Sequence, residues 1–146
     1  MIVSKPKIGT LFSVGLFISL ALGIFVYGLI QIQTATDRTW WYVLVYTSGP
    51  IGFLVLIKIL FSLKTLKVSK EKFEVKFPFK FQKYSFGGKE IDHWFHTSIK
   101  TYGGLYEEFT IKLSSGKQLA ISKQENTEYD KTLKYLKKKF KKLEKC

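Results

Sequence analysis

The hydrophobic pattern of this chain changes character once, near residue 63. Between Lys7 and Asp37 there is no charged residue, and the run 8–32 (IGTLFSVGLFISLALGIFVYGLIQI) is apolar on every side rather than along one stripe. A helix rises about 1.5 Å per residue, so about 20 such residues cross a hydrocarbon layer. A first span is therefore predicted over 8–32. A second is predicted over 40–63 (WWYVLVYTSGPIGFLVLIKILFSL). It opens on Trp40, Trp41 and Tyr42, whose amphipathic rings favour the headgroup level. Lys58 stands about one turn from its end, where a long aliphatic stem lets the ammonium snorkel to water. These four residues are the expected interface anchors. Pro50 removes a backbone donor in mid-span and is expected to kink the helix. The short connector 33–39 makes the two helices an antiparallel hairpin. Glycines 9, 15, 23 and 28 lack the four-residue spacing of a strong helix-packing motif, so no dimer is inferred from them.

From Lys64 the period becomes two. In 72–82 (KFEVKFPFKFQ) apolar residues alternate with Lys, Glu, Pro and Gln, which is strand patterning, and Pro78 marks an edge, a bulge or a break into two strands. Further strands are predicted over 65–68, over 94–101 with Phe95, Thr97 and Ile99 on one side, over 107–113 with Leu105, Phe109, Ile111 and Leu113 facing one way, and over 118–122. Turns are expected at Ser69-Lys70-Glu71, at Gly103-Gly104 and at 114–117. Tyr129, Leu133, Leu136, Phe140 and Leu143 form one apolar stripe at helical spacing. Asn126 or Thr127 is placed to cap that helix, and lysines crowd its last turns, where cations suit the dipole. The predicted class is a membrane α-helical hairpin (1–63) followed by an α+β soluble domain (64–146). The latter is a small antiparallel barrel of six or seven strands with a terminal amphipathic helix as its lid.

Charge sharpens the division. The chain carries 24 Lys+Arg against 11 Asp+Glu, a net of +13, and a mean hydropathy of +0.03 that describes neither half. Residues 64–146 alone hold 20 lysines and 10 acids. Lys5 and Lys7 flank the first span, and Lys64, Lys67, Lys70 and Lys72 follow the second. The connector has only Arg38, offset by Asp37. The positive-inside rule then puts both termini in the cytoplasm. A cleaved signal peptide is the competing reading of the first run, but that run exceeds the usual apolar core and no A-x-A site follows.

The layout of two amino-terminal spans, the segment TLKVSKEKFEVKF after them, YSFGGKEI leading into a strand, the hairpin LYEEFTIKLSSGKQLAIS and the terminal helix resembles the bacterial PH-like (pleckstrin-homology-like) domain membrane proteins. Members often show an aromatic, then an acidic residue and Ile, where this chain has Phe86 and Glu90-Ile91. The YcxB-like membrane proteins are similar in layout. The resemblance covers the whole chain through strand patterns and turns. It implies a barrel tied to the bacterial cytoplasmic membrane, with no assigned chemistry.

Catalytic and metal-binding patterns are sparse. His93 and His96 are three apart, and in a strand such a pair points to opposite faces. Gly87-Gly88-Lys89 lacks the second glycine of a phosphate loop and reads as a turn. The single cysteine, Cys146, excludes an intramolecular disulfide and has no nearby base to activate it. No cofactor, metal, small-molecule substrate or nucleic acid is expected. The lysines are the richest material. Lys70, Lys72, Lys76, Lys80 and Lys83 follow closely on the second span, and such a cluster is drawn to anionic lipids by about 1 kcal/mol per residue at the surface. Guanidinium-style bidentate phosphate recognition is not available, since this half has no Arg. The expected function is a non-enzymatic membrane protein that presents a basic domain at the cytoplasmic surface for contact with anionic lipid or with a protein partner, the latter by strand addition at a sheet edge. The alternative is a small transporter or channel component built from several copies of the hairpin.

Overall fold

A computed structural model describes residues 1–145, which form two compact units: Ile8–Ser62, and Met1–Lys7 together with the chain from Leu63 onward. The helical unit consists of α1 (Ile8–Thr34) and α2 (Thr39–Ser62), joined by residues 35–38, so the connector is shorter than the pattern predicts. Both helices are long and apolar enough to cross a membrane. They pack antiparallel through small residues. A Cβ on Gly28 would lie 2.6 Å from Val45 Cγ2, and one on Gly49 would lie 2.8 Å from the Phe25 ring. Further along, Gly52 faces Ala21. The glycines thus serve the approach of the hairpin's own two helices. α2 runs through Pro50 without a break in its helical assignment. Several hydroxyls in the hairpin return to carbonyls of their own helix, as Ser13 does to Gly9, Ser19 to Gly15 and Thr47 to Val43. That is how a polar group is tolerated where water is scarce.

The second unit has seven strands in two antiparallel sheets, not the closed barrel expected. One sheet contains β1 (Ile2–Ser4), β2 (Thr65–Ser69), β3 (Lys72–Phe77) and β4 (Gln82–Gly87), in that order. The other contains β5 (Ile91–Thr101), β6 (Gly104–Leu113) and β7 (Gln118–Ser122). β1 has no counterpart in the sequence pattern. It precedes the apolar helices, yet it pairs with β2, which follows them: Ile2 with Val68, Val3 with Lys67 and Ser4 with Leu66. Residues 1–7 therefore belong to the sheet unit, and the single boundary expected at 63/64 is one of two. Two further backbone bonds hold this segment, Lys7 N–H to the Glu125 carbonyl and Thr127 N–H to the Lys5 carbonyl. The buried Ser4 hydroxyl donates to the Thr127 carbonyl at 2.6 Å.

The β2–β3 turn, Lys70-Glu71, has φ of 38° and 68°. Two left-handed residues make a two-residue loop whose twist matches the strands, here without the Asn-Gly that usually supplies it. The long alternating run breaks after Phe77, and residues 78–81 form the turn into β4. Inward-facing residues then interlock. Leu66 and Val68, Phe73 and Val75, Phe86, Trp94, Phe109 and Ile111, and Leu119 and Ile121 form the core. Phe73 and Phe86 are cross-strand partners with stacked rings 5.0 Å apart. On β5 the buried face belongs to Trp94. Phe95, Thr97 and Ile99 do share a side, but it is the outer one, and Ile99 is exposed. Leu105 likewise lies outside the core, in contrast to Phe109, Ile111 and Leu113.

α3 (Tyr129–Lys139) packs on the sheets through Tyr129, Thr132 and Leu136, all buried. Its N-cap is Glu128, at φ 55° and without a side-chain bond, rather than Asn126 or Thr127. The reason lies in the amino-terminal segment: Thr127 Oγ1 accepts from Lys5 N–H, and the Asn126 amide donates to the Ser122 carbonyl. The helix ends at Lys139. Phe140 leaves helical geometry at φ −122°, and a single 3-10 turn, Lys141–Leu143, completes the stripe. This kink lets the Phe140 carbonyl accept from the Trp94 indole at 2.9 Å while its ring lies over Gly88, where a Cβ would come within 2.6 Å. Replacing Trp94 by Phe should remove that bond, leaving the Phe140 carbonyl only its second donor, Leu143 N–H at 3.0 Å, and lower stability by about 0.5–1.5 kcal/mol. Phe73→Ala should cost about 3–5 kcal/mol. Equilibrium denaturation of the full chain in detergent, followed by near-ultraviolet circular dichroism, measures both.

Candidate functional site

Strand alternation divides the four-stranded sheet into an apolar inner face and a basic outer one. Lys67, Lys72, Lys76 and Lys83 point outward, with Glu74 the acid among them. The register sets Lys67 opposite Glu74, and Lys76 opposite Lys83. Like charges directly opposed across strands repel. Lys83 is partly relieved by an exposed ion pair with Glu74 at 3.5 Å, a contact worth at most about 1 kcal/mol. Lys80, in the β3–β4 turn, lies 5.4 Å from the centre of the Phe77 ring.

The five lysines expected to meet lipid therefore fall into two groups. Lys76, Lys80 and Lys83 gather at the β3–β4 end of the sheet. Lys70 and Lys72 stand at the β2–β3 end, where they border a shallow hollow of about 470 Å³ with Met1, Lys67, Ser69 and Glu74. Lys72 and Lys76 are four strand residues apart, or about 13 Å. The strands that connect to the helices reach the sheet at the Lys76 end, since Thr65 pairs with Lys76 and Ser4 with Leu66. Sequence proximity joined all five; strand direction separates them.

In the helical unit, Trp40, Trp41 and Tyr42 occupy the first turn of α2. The Tyr27 ring meets Trp41 edge-on at 5.6 Å, and Tyr42 stacks on Tyr46 at 6.3 Å. Tyr27 is thus an aromatic partner that sequence reading passed over, because inside α1 it looks like one more bulky residue; only the antiparallel pairing brings it beside Trp41. Lys58 is exposed one turn before the end of α2. A groove of about 680 Å³ runs along the hairpin between Phe25, Val45, Gly49 and Phe53.

A second polar cluster escaped the sequence reading altogether. Glu107 accepts from Lys123 Nζ at 2.6 Å and lies 3.8 Å from His96 Nε2, while Lys123 also reaches Asp130 at 3.5 Å. The bond to Glu107 holds the Lys123 ammonium above its ordinary pKa. On the opposite face Glu108 accepts from the Tyr106 hydroxyl at 2.6 Å, and this bond pushes the phenol up to about 12. Burial also raises the Tyr129 phenol above its ordinary value. Adjacent acids in a strand must point to opposite faces, so the Glu107-Glu108 pair was the available signal; Glu107 finds Lys123, just after β7, and His96 of β5, while Glu108 finds Tyr106 of its own strand. His93 turns away from His96 and bonds Asp92 at 2.6 Å. Gly88–Glu90 is a 3-10 turn. Among the described residues no group of three or more His, Cys, Asp or Glu is placed to hold a metal ion, and Cys146 lies outside them.

Comparison with protein-family models, with curated proteins and with solved structures gives no match to this chain.

The Tyr106 phenol yields a pH prediction. Its native pKa is raised above the ordinary value near 10, so its contribution to stability is complete below about pH 10 and is lost as pH rises through about 12. Glu108→Gln removes the charged acceptor and should move Tyr106 back toward 10. Carbon-13 chemical shifts of ring-labelled tyrosines, titrated in wild type and variant, read both values.

Proposed function

We propose that this chain is a non-enzymatic integral membrane protein of the bacterial cytoplasmic membrane. α1 and α2 cross the bilayer as a hairpin, and the sheet unit is a PH-like domain that meets the anionic cytoplasmic leaflet. The observation that carries the reading is the pairing of β1 with β2. The strand before the first apolar helix and the strand after the second belong to one sheet, so both outer ends of the hairpin return to the same side. Two apolar helices with both ends tied to one folded unit suit a bilayer-spanning hairpin. That unit carries the charge excess, and the positive-inside rule puts it in the cytoplasm.

Division of the strands into four and three, with a carboxyl-terminal helix packed across them, supports the PH-like reading. Lipid contact then falls to Lys76, Lys80 and Lys83, at the sheet end from which the chain passes to the helices. The opposed Lys76 and Lys83 gain from an anion between them. Trp40, Trp41 and Tyr27 form an aromatic belt at the other end of the hairpin.

The test uses the full chain in nanodiscs doped with spin-labelled lipids. Anionic label should associate more strongly than zwitterionic label, and the excess should fade as salt is raised. Neutralising Lys76, Lys80 and Lys83 to Gln should cut the excess by roughly fivefold per lysine at low salt. Equal association of both labels would defeat the proposal, as would protease cleavage of the sheet unit from outside intact cells.

A further inference from the structure

Large apolar side chains exposed on the sheet unit are few: Met1, Phe79, Phe81, Ile99, Tyr102 and Leu105. Scattered singly they would be ordinary. Apart from Met1, however, they occupy two hairpin tips. Phe79 and Phe81 lie in the β3–β4 turn; Ile99, Tyr102 and Leu105 lie at the β5–β6 turn. Phe81 is 95 % exposed and sits at φ 52°, a left-handed conformation that is costly for a bulky side chain. Strain that holds an aromatic ring out into solvent calls for a use.

Both tips lie where the chain passes to and from the apolar helices. Thr65 begins β2 three residues after Ser62, the last residue of α2, and it pairs with Lys76, directly before the first tip. At the second tip the Leu105 carbonyl accepts from Gln124 Nε2 at 2.5 Å. Next to Gln124, the Glu125 carbonyl accepts from the N–H of Lys7, the residue before α1. The tips also share a charge pattern. Segments 75–84 and 97–106 contain Lys76, Lys80, Lys83 and Lys100, and neither contains an acid. An aromatic tip flanked by three lysines, and an aromatic and aliphatic one that carries Lys100, suit one surrounding: the boundary between acyl chains and anionic headgroups, where rings bury and ammonium groups meet phosphate.

We propose that the two hairpin tips, Phe79/Phe81 and Ile99/Tyr102/Leu105, dip together into the cytoplasmic leaflet and seat the sheet unit on the bilayer at two points. The proposal rests on the membrane-surface reading above and deepens it. The lysines supply attraction that salt screens, and the tips supply attachment that salt does not.

Single cysteines placed by Phe81→Cys, Tyr102→Cys and, as a control in the distal β6–β7 turn, Ser115→Cys, each in a Cys146→Ser background, carry an environment-sensitive fluorophore. The full chain is reconstituted in nanodiscs of phosphatidylcholine and phosphatidylglycerol, with and without brominated lipid. Positions 81 and 102 should shift to the blue and lose most of their emission to the bromines, while 115 does neither. Because a dye can itself seek the bilayer, unlabelled protein is read in parallel: a paramagnetic lipid should broaden the amide resonances of 79–81 and 101–105 selectively. Quenching at one position only overturns the two-point seat. A blue shift without quenching means that protein covers the tips, and overturns it too. If neither tip is quenched while the lysine-dependent anionic excess persists, the seat is wrong and the surface reading stands; if that excess is missing as well, both fail.

Discussion

Three residues of backbone pairing hold the architecture in its form. Ile2–Ser4 hydrogen-bond to Leu66–Val68 across an intervening stretch of more than sixty residues in sequence. A loop of that length costs little more to close than one half as long, because closure entropy grows only logarithmically. What makes the pairing worthwhile is the company it keeps: a buried Ser4 hydroxyl on a carbonyl, Thr127 bonded twice to Lys5, and Asn126 locked beneath. These contacts fix the end of β7, the start of α3 and the edge of β2 together. α3 takes its first turn from Glu128 because the two better capping residues before it are committed to this junction.

The elements were legible wherever one periodicity ran uninterrupted. β7 begins and ends at its predicted residues, the break at Pro78 falls where the missing donor demands it, and both apolar helices lie within two residues of the pattern. The amino-terminal strand was hidden because three residues are too few to show alternation, and its partner lies beyond the whole hairpin. The buried face of β5 could not be chosen from its own pattern, because both sides carry an aromatic, Phe95 with Thr97 and Ile99 on one and Trp94 with His96 and Ser98 on the other. The decision belongs to the neighbouring strand, whose Phe109 and Ile111 pair with His96 and Trp94 and take them to the core side.

The candidate site shows the same limit. Composition revealed a basic segment, but not that strand direction carries Lys70 and Lys72 to one end and Lys76, Lys80 and Lys83 to the other. Nor does sequence spacing show that residues 79–81 and 99–105, separated by β4, a 3-10 turn and most of β5, both lie beside the segments that lead to the apolar helices. Local pattern encodes which face a side chain takes. Which end of a sheet it reaches depends on how many times the chain has reversed, and that is read only from pairing.

The split sheet also sets an order of assembly. Residues 2–4 are made before the two apolar helices, yet their pairing edge on β2 emerges only after both have been made. On the proposed topology, an α1 inserted in the wrong sense strands β1 across the membrane from its partner, and β2 is left with a row of unsatisfied amide and carbonyl groups. Completion of the sheet is thereby a built-in report that the hairpin has been threaded correctly.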